Sequence, residues 1–309
     1  LYSDLNLLLA PMYGWVYQRT GAQIYRDQGD QLFNAGVAGA WLDGGKQFSQ
    51  NYRWSQKYVE WRTLTGYSPY FGSGLMLVSA ASLMPGPVAP ESWAAAFGSQ
   101  LADGTASMPA SPVPTKLGDS TVMVRDANGV ERSASLNYVS PSHVNFTIPA
   151  GTAVGSATVS IYSGSQLRGV GSLDILTTAP ALFVLNQDRL ANASLLRVRG
   201  DSSDYESIVR LDAATNQFVG IPIDLGSGTD QVYLTLYGTG WRFRPSLDSV
   251  SVTVGDVPVS VVYAGAALYY DDLDMVSVLL PQRLRGLGAL DIVLRLNGQT
   301  ANIVRVLIQ

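Results

Sequence analysis

Few residues in this chain have the types and spacing that chemistry requires. Cysteine is absent and His143 is the single histidine. A Ser-His-Asp relay would need that histidine, and a zinc site would need further nitrogen or sulfur ligands. His143 follows Ser140-Pro141-Ser142 at the start of a β pattern, so it reads as a turn or strand-edge residue. Arg199-Gly200-Asp201-Ser202-Ser203 offers a serine, but no histidine lies downstream to activate it, and strings as short as Arg-Gly-Asp arise easily by chance. It reads as a polar loop. Asp271, Asp272 and Asp274 follow Tyr269-Tyr270 at the expected tip between two strands. Clustered carboxylate oxygens suit Ca²⁺, so these three are the candidate cation ligands, although no EF-hand spacing accompanies them. The competing reading is a solvated loop.

Aromatic side chains crowd the first part of the chain: Trp15, Tyr17, Trp41, Tyr52, Trp54, Tyr58 and Trp61. Such rings combine a large apolar face with a polar rim and can pack, self-associate or stack on sugars. Trp15, Trp41, Tyr52, Trp54, Tyr58 and Trp61 are the candidate interaction surface. The carboxylates nearby (Asp4, Asp27, Asp30, Asp43, Glu60) are scattered, and nothing pairs them for glycosidic chemistry.

The elements that must position these residues change character along the chain. Leu5, Leu8, Leu9, Met12, Trp15 and Val16 recur at helical spacing, with Ser3 or Asp4 as cap and Thr20-Gly21 as stop. Residues 25–41 and 47–64 continue the helical pattern, separated at Gly44-Gly45. From Leu75 onward, short runs rich in Val, Thr, Tyr and Ile alternate with Gly, Pro, Asn and Asp, the pattern of a sandwich or barrel. This β region repeats itself. Residues 93–101 match 232–240, 120–124 match 249–254, 137–139 match 262–264, 144–149 match 276–281, and 157–176 match 290–308. The expected fold is mainly β: two tandem Ig-like sandwiches, 67–180 and 181–309, after a helical segment of about three helices, 1–66.

Several β segments resemble a known repeat: Ser79-Ala80-Ala81-Ser82, residues 88–92, Ala96-Phe97-Gly98, residues 138–149 and residues 179–183. They are similar to the paired Ig-like (IPT/TIG-type) C-terminal region of large secreted acidobacterial proteins. The second copy is looser, in residues 237–241, 261–265 and 276–281. The resemblance implies a secreted or surface location and a non-catalytic β module. His143 stands where that pattern has glutamine, and Met275 and Ser277 replace its polar Gln and Asn in the second copy. Tyr13-Gly14-Trp15-Val16-Tyr17, Thr20-Gly21 and residues 25–30 resemble helical hairpins of (α/α)-toroid proteins, a fold of polysaccharide lyases and glycoside hydrolases.

Composition narrows the partners. Hydrophobic residues make up 47% and charged residues 14%, enough for cores and too little charge for a disordered chain. The net charge of −4 argues against a nucleic-acid partner, which needs a basic footprint. No run reaches the ~18 apolar residues of a membrane span. The chain opens at Leu1 without a signal-peptide pattern and reads as a mature or trimmed product. The expected function is an extracellular, non-catalytic structural or adhesive protein that self-associates, as a homo-oligomer, polymer or filament. The alternative is the C-terminal accessory region of a secreted polysaccharide-active enzyme, with the β modules as spacers or glycan binders. No catalytic residue is expected, and no cofactor besides the Ca²⁺ candidate.

Overall fold

The computed structural model describes residues 3–20, 23–38, 55, 58–59, 75–108, 113–268 and 273–309. Two helices lead, α1 (Ser3–Thr20) and α2 (Gln23–Ala38), packed against each other. α1 holds Pro11 in its interior, which removes one intrahelical hydrogen bond. Of the third expected helix, Ser55, Tyr58 and Val59 are described and helical, and the rest of 47–64 lies outside the described residues.

The packing of α1 inverts the expected face. Ala10, Gly14 and Tyr17 are buried, whereas Leu9 (43% exposed), Met12 (61%) and Trp15 (42%) face outward. The side chains of Leu5 and Leu8 lie outside the described set. On α2, Gly29 and Gly36 are also buried. A Cβ added at Gly29 would lie 2.9 Å from the Tyr58 ring and 3.1 Å from the Tyr13 Cβ. The missing side chain at Gly29 thus makes room for the Tyr58 ring and for Tyr13.

Ten strands build the first sandwich. They are β1 (Met76–Ser79), β2 (Trp93–Phe97), β3 (Ala106–Ser107), β4 (Lys116–Leu117) and β5 (Ser120–Arg125). β6 (Glu131–Ser133), β7 (Ser135–Val139), β8 (His143–Thr147), β9 (Gly155–Ser163) and β10 (Gln166–Ile175) complete it. One sheet runs β1-β2-β8-β7-β3 and the other β10-β9-β5-β4, with β6 paired to β5. Alternating residues of both sheets, among them Ala96, Val144 and Phe146 against Val122, Val159 and Ile161, form one core between Leu75 and Ile175.

The second sandwich follows with β11 (Ala181–Leu182), β12 (Ala193–Arg199), β13 (Ser202–Ser207), β14 (Val209–Asp212) and β15 (Gln217–Gly220). Then come β16 (Gln231–Thr239), β17 (Val250–Val254), β18 (Val257–Ala266) and β19 (Asp274–Leu279). β20 (Gly288–Leu296), β21 (Gln299–Thr300) and β22 (Val304–Ile308) close the chain. The order β13-β12-β16-β19-β18 continues through β17 to β20 because β18 pairs with β19 at one end and with β17 at the other. The second core lies between Leu182 and Ile308 around the fully buried Trp241.

The two copies share strand order. β1-β2-β8-β7 corresponds to β12-β16-β19-β18, and β10-β9-β5 to β22-β20-β17. Even a bulge repeats, at Asn137 in β7 and at Val262 in β18. One expected match shifts by a residue. Ala96 pairs with Val144 and Leu236 with Val276, so Trp93 corresponds to Tyr233, not Val232. The uniform Ala94-Ala95-Ala96 run carries no apolar–polar alternation to set the phase.

Candidate functional site

An extensively hydrogen-bonded polar centre joins the two sandwiches. β16 ends at Thr239, and Gly240 turns the chain at φ +93 so that Trp241 drops into the second core. Arg242 follows directly. Its Nε donates to Asp274 Oδ1 (2.9 Å) and its Nη2 to the Leu273 carbonyl (3.1 Å). Nη1 reaches across to Glu91 Oε2 of the first sandwich (3.1 Å). Asp274 Oδ2 accepts the backbone N–H groups of Trp241 (2.7 Å) and Arg242 (3.1 Å). The carboxylate is fully buried, and Arg242 is nearly so. Burial pushes the Asp274 carboxyl above its ordinary range, against the pull of Arg242. Glu91 reaches its partner from a backbone at φ +58, a left-handed conformation that costs a non-glycine residue energy.

Neutral contacts surround this charge. Thr239 Oγ1 accepts the Trp93 N–H (2.9 Å), and Gly240 O accepts the Ala179 N–H (2.8 Å). The Trp93 and Phe183 rings meet edge-on at 5.8 Å. Asn302 clasps the linker end, taking the Leu182 N–H and donating to its carbonyl. Beside this seam runs a groove of about 780 Å³ lined by Leu83, Met84, Val184, Leu185 and Ile303. The side chains of Asn186, Asn302 and Arg189 at its rim are already bonded within the protein.

A second charged centre sits at the far end of the second sandwich. Arg197 is 2% exposed and donates through Nε and Nη2 to Glu206 and through Nη2 to the Asp224 carbonyl (2.6 Å). Its Nη1 lies 3.6 Å from Asp230, which also pairs with Arg199 (2.9 Å) and accepts from the Ser227 hydroxyl. Hydrogen bonding to Arg197 lowers the Glu206 pKa and raises that of Arg197.

Of the expected site residues, Trp15, Tyr58 and Asp274 are described. Asp274 is not at a loop tip but opens β19, and both its oxygens are engaged, so it brings no free oxygen to a cation. Asp271 and Asp272 lie outside the described residues. Among the described residues, no group of three or more acidic or histidine side chains is placed to hold a metal. Tyr58 is buried, stacked on Phe33 at 4.9 Å and donating to Asp30 Oδ1, so it packs the helices together and does not belong to a surface. Trp15 is on the outward face, while Trp41, Tyr52, Trp54 and Trp61 lie outside the described residues. His143 closes the 140–143 turn with Ser140, as expected, but the strand it opens, β8, is central and not an edge; its ring stacks on Phe97 at 4.5 Å and meets Asn145 through Nε2. Gly200 (φ +54) and Asp201 form the β12–β13 turn, where Ser202 Oγ donates to the Arg199 carbonyl. Sequence reading missed Arg242, Glu91 and Arg197. The available signal was arginine following a buried-type tryptophan in a chain of low charge.

No protein-family model matches the chain, and a search of curated proteins found no significant match.

Acid should weaken this fold, with a sign set by its carboxylates. Ser163 holds Asp103 low, Arg197 holds Glu206 low, Ser227 holds Asp230 low and Arg305 holds Asp291 low. Groups with depressed folded pKa values stabilise fully above their ordinary values, 3.8 for Asp and 4.5 for Glu, and lose that contribution as pH falls through the folded values. Asp274, raised by burial, works the other way and offsets part of the loss. Urea melts should therefore be flat from neutrality to about pH 5 and fall steeply below it. Equal midpoints at pH 6 and pH 3 would refute the assignment.

Proposed function

We propose that this chain is a non-catalytic structural or adhesive unit of an extracellular or cell-surface assembly. Two Ig-like, IPT/TIG-type sandwiches form its stiff body, and the helical hairpin carries the surface through which copies associate. The observation that carries this reading is the inverted α1, which seals its small residues inward and presents Leu9 and Met12 to solvent. Ile24 and Val37 of α2 are exposed as well. Exposed apolar patches on folded proteins usually mark association surfaces. The absence of catalysis in this reading is supported by the polar centres themselves, since Asp274, Asp126 and Glu206 are each bonded to an arginine. Among the described residues, no helix is long and apolar enough to cross a membrane.

Sedimentation velocity and negative-stain electron microscopy test the proposal. The unaltered protein should form oligomers or ordered polymers. Burying one large apolar side chain is worth about 1.5–3 kcal/mol. Leu9→Asp combined with Met12→Asp should therefore weaken association at least tenfold, on the order of 1.4 kcal/mol or more. A strict monomer at high concentration, with its helices folded by circular dichroism, would overturn the reading.

A further inference from the structure

The internal repeat makes the two sandwiches comparable residue by residue at their poles. In the first, Val88 forms a parallel bridge with Ile175, and in the second Ile223 does the same with Ile308. Leu176 donates to the Val88 carbonyl (2.9 Å) as Gln309 donates to that of Ile223 (2.8 Å). Ile148 N–H bonds to Ser92 O and Leu280 N–H to Val232 O, each at 2.9 Å. The end of the second sandwich is therefore the structural counterpart of the end of the first, where the second sandwich docks.

At that end the two differ. The docking groups of the first sandwich, Glu91 and Trp93, sit on or directly beside the β1–β2 connection, residues 80–92. The matching β12–β16 connection is residues 200–230, 31 residues against 13. It folds into an added edge strand, β13, a separate β14–β15 hairpin and the 224–230 loop. This insertion is pinned from several sides. Arg197, buried beneath it, holds Glu206 and the Asp224 carbonyl. Gln282 donates to the carbonyls of Leu225 (2.8 Å) and Ser227 (3.0 Å), and Arg285 to that of Gly226. Gly226 is a tight fit, since a Cβ there would collide with Asp230 and Arg197. The repeat counterpart of Glu91 is Gln231, which carries no charge for an Arg242-type grip.

We infer that residues 200–230 are a cap: they close the pole of the second sandwich against docking of a further sandwich through an Arg242-type joint. Terminal units of stacked arrays need such closure, because an open docking face otherwise continues the stack. β13, Ser202–Ser207, is exposed along most of its length, Tyr205 included. This inference does not depend on association through the helices.

A three-sandwich chain tests it, made by appending a second copy of residues 177–309 after Gln309, the counterpart of Leu176. Its two linkers then have equal length and identical sequence from Thr177 onward, and limited proteolysis reports only whether each sandwich has docked. The native linker should be protected and the added one cut at least about tenfold faster, since cleavage follows the population of the open form. Equal protection of both would overturn the cap. Replacing residues 200–230 of the middle sandwich by residues 80–92 should protect the added linker. If that variant folds and the linker stays exposed, the insertion is not the barrier. Gln231→Glu alone in the middle sandwich leaves the fold intact and should leave the added linker exposed. Protection by this single change would assign the block to the missing charge and overturn the inference.

Discussion

Asp274→Ala should lower the stability of the second sandwich by about 3–5 kcal/mol, the usual cost of leaving one member of a buried ion pair unpaired. The argument is one of unmet partners. The side chain accepts three hydrogen bonds, from Trp241 N–H, Arg242 N–H and Arg242 Nε. Its loss strands a buried guanidinium together with two buried backbone donors. Glu91, a third exposed, cannot compensate for the lost carboxylate. Urea denaturation should show a lower midpoint with unchanged slope. The loss should be the same in calcium and in chelator, because the Asp274 oxygens are spent on protein donors. A change below about 1 kcal/mol, the size of an exposed pair, would show that the site is solvated.

Gly240→Ala should open the joint between the sandwiches. The residue sits at φ +93, where an L side chain is strained, and its Cβ would fall on the Ala179 carbonyl. Backbone cannot yield as a flexible side chain can. The left-handed conformation costs roughly 1–2 kcal/mol and overpacking a further ~1–3 kcal/mol. The linker can escape both by leaving, which breaks the Ala179–Gly240 hydrogen bond and loosens Arg242 from Glu91. Small-angle scattering should show a larger maximum dimension, and protease should cut residues 176–181 readily, with both cores still folded. Unchanged scattering and an intact linker would mean that the seam does not depend on this close approach.

How far such features are legible in a sequence depends on the range of the forces behind them. The β strands and their duplication were readable because strand alternation and turn chemistry are local, as in Val122–Val124 followed by Asp126-Ala127-Asn128-Gly129. The phase of Ala94–Ala96 was not, since three identical small residues look alike from either face. The orientation of α1 was misread because apolar spacing marks a stripe without saying what lies opposite it. Gly29 leaves room for the Tyr58 ring and Tyr13, and that contact exists only once the helices meet. Asp274 looked like one of three loop carboxylates because Asp271 and Asp272 precede it, yet its role is set by an arginine 32 residues earlier.

By itself the amino-acid sequence determined a mainly β chain, built twice from one strand pattern and headed by helices, because periodicity and turn residues act over a few positions. Only the tertiary structure decided which apolar face of α1 meets water, that Asp274 is an internal counter-ion, and that Arg242 binds the two copies. Those outcomes rest on contacts such as Arg242 with Glu91, 151 residues apart. Such partners are chosen by burial, which removes competing water and makes each unpaired charge or misplaced Cβ costly.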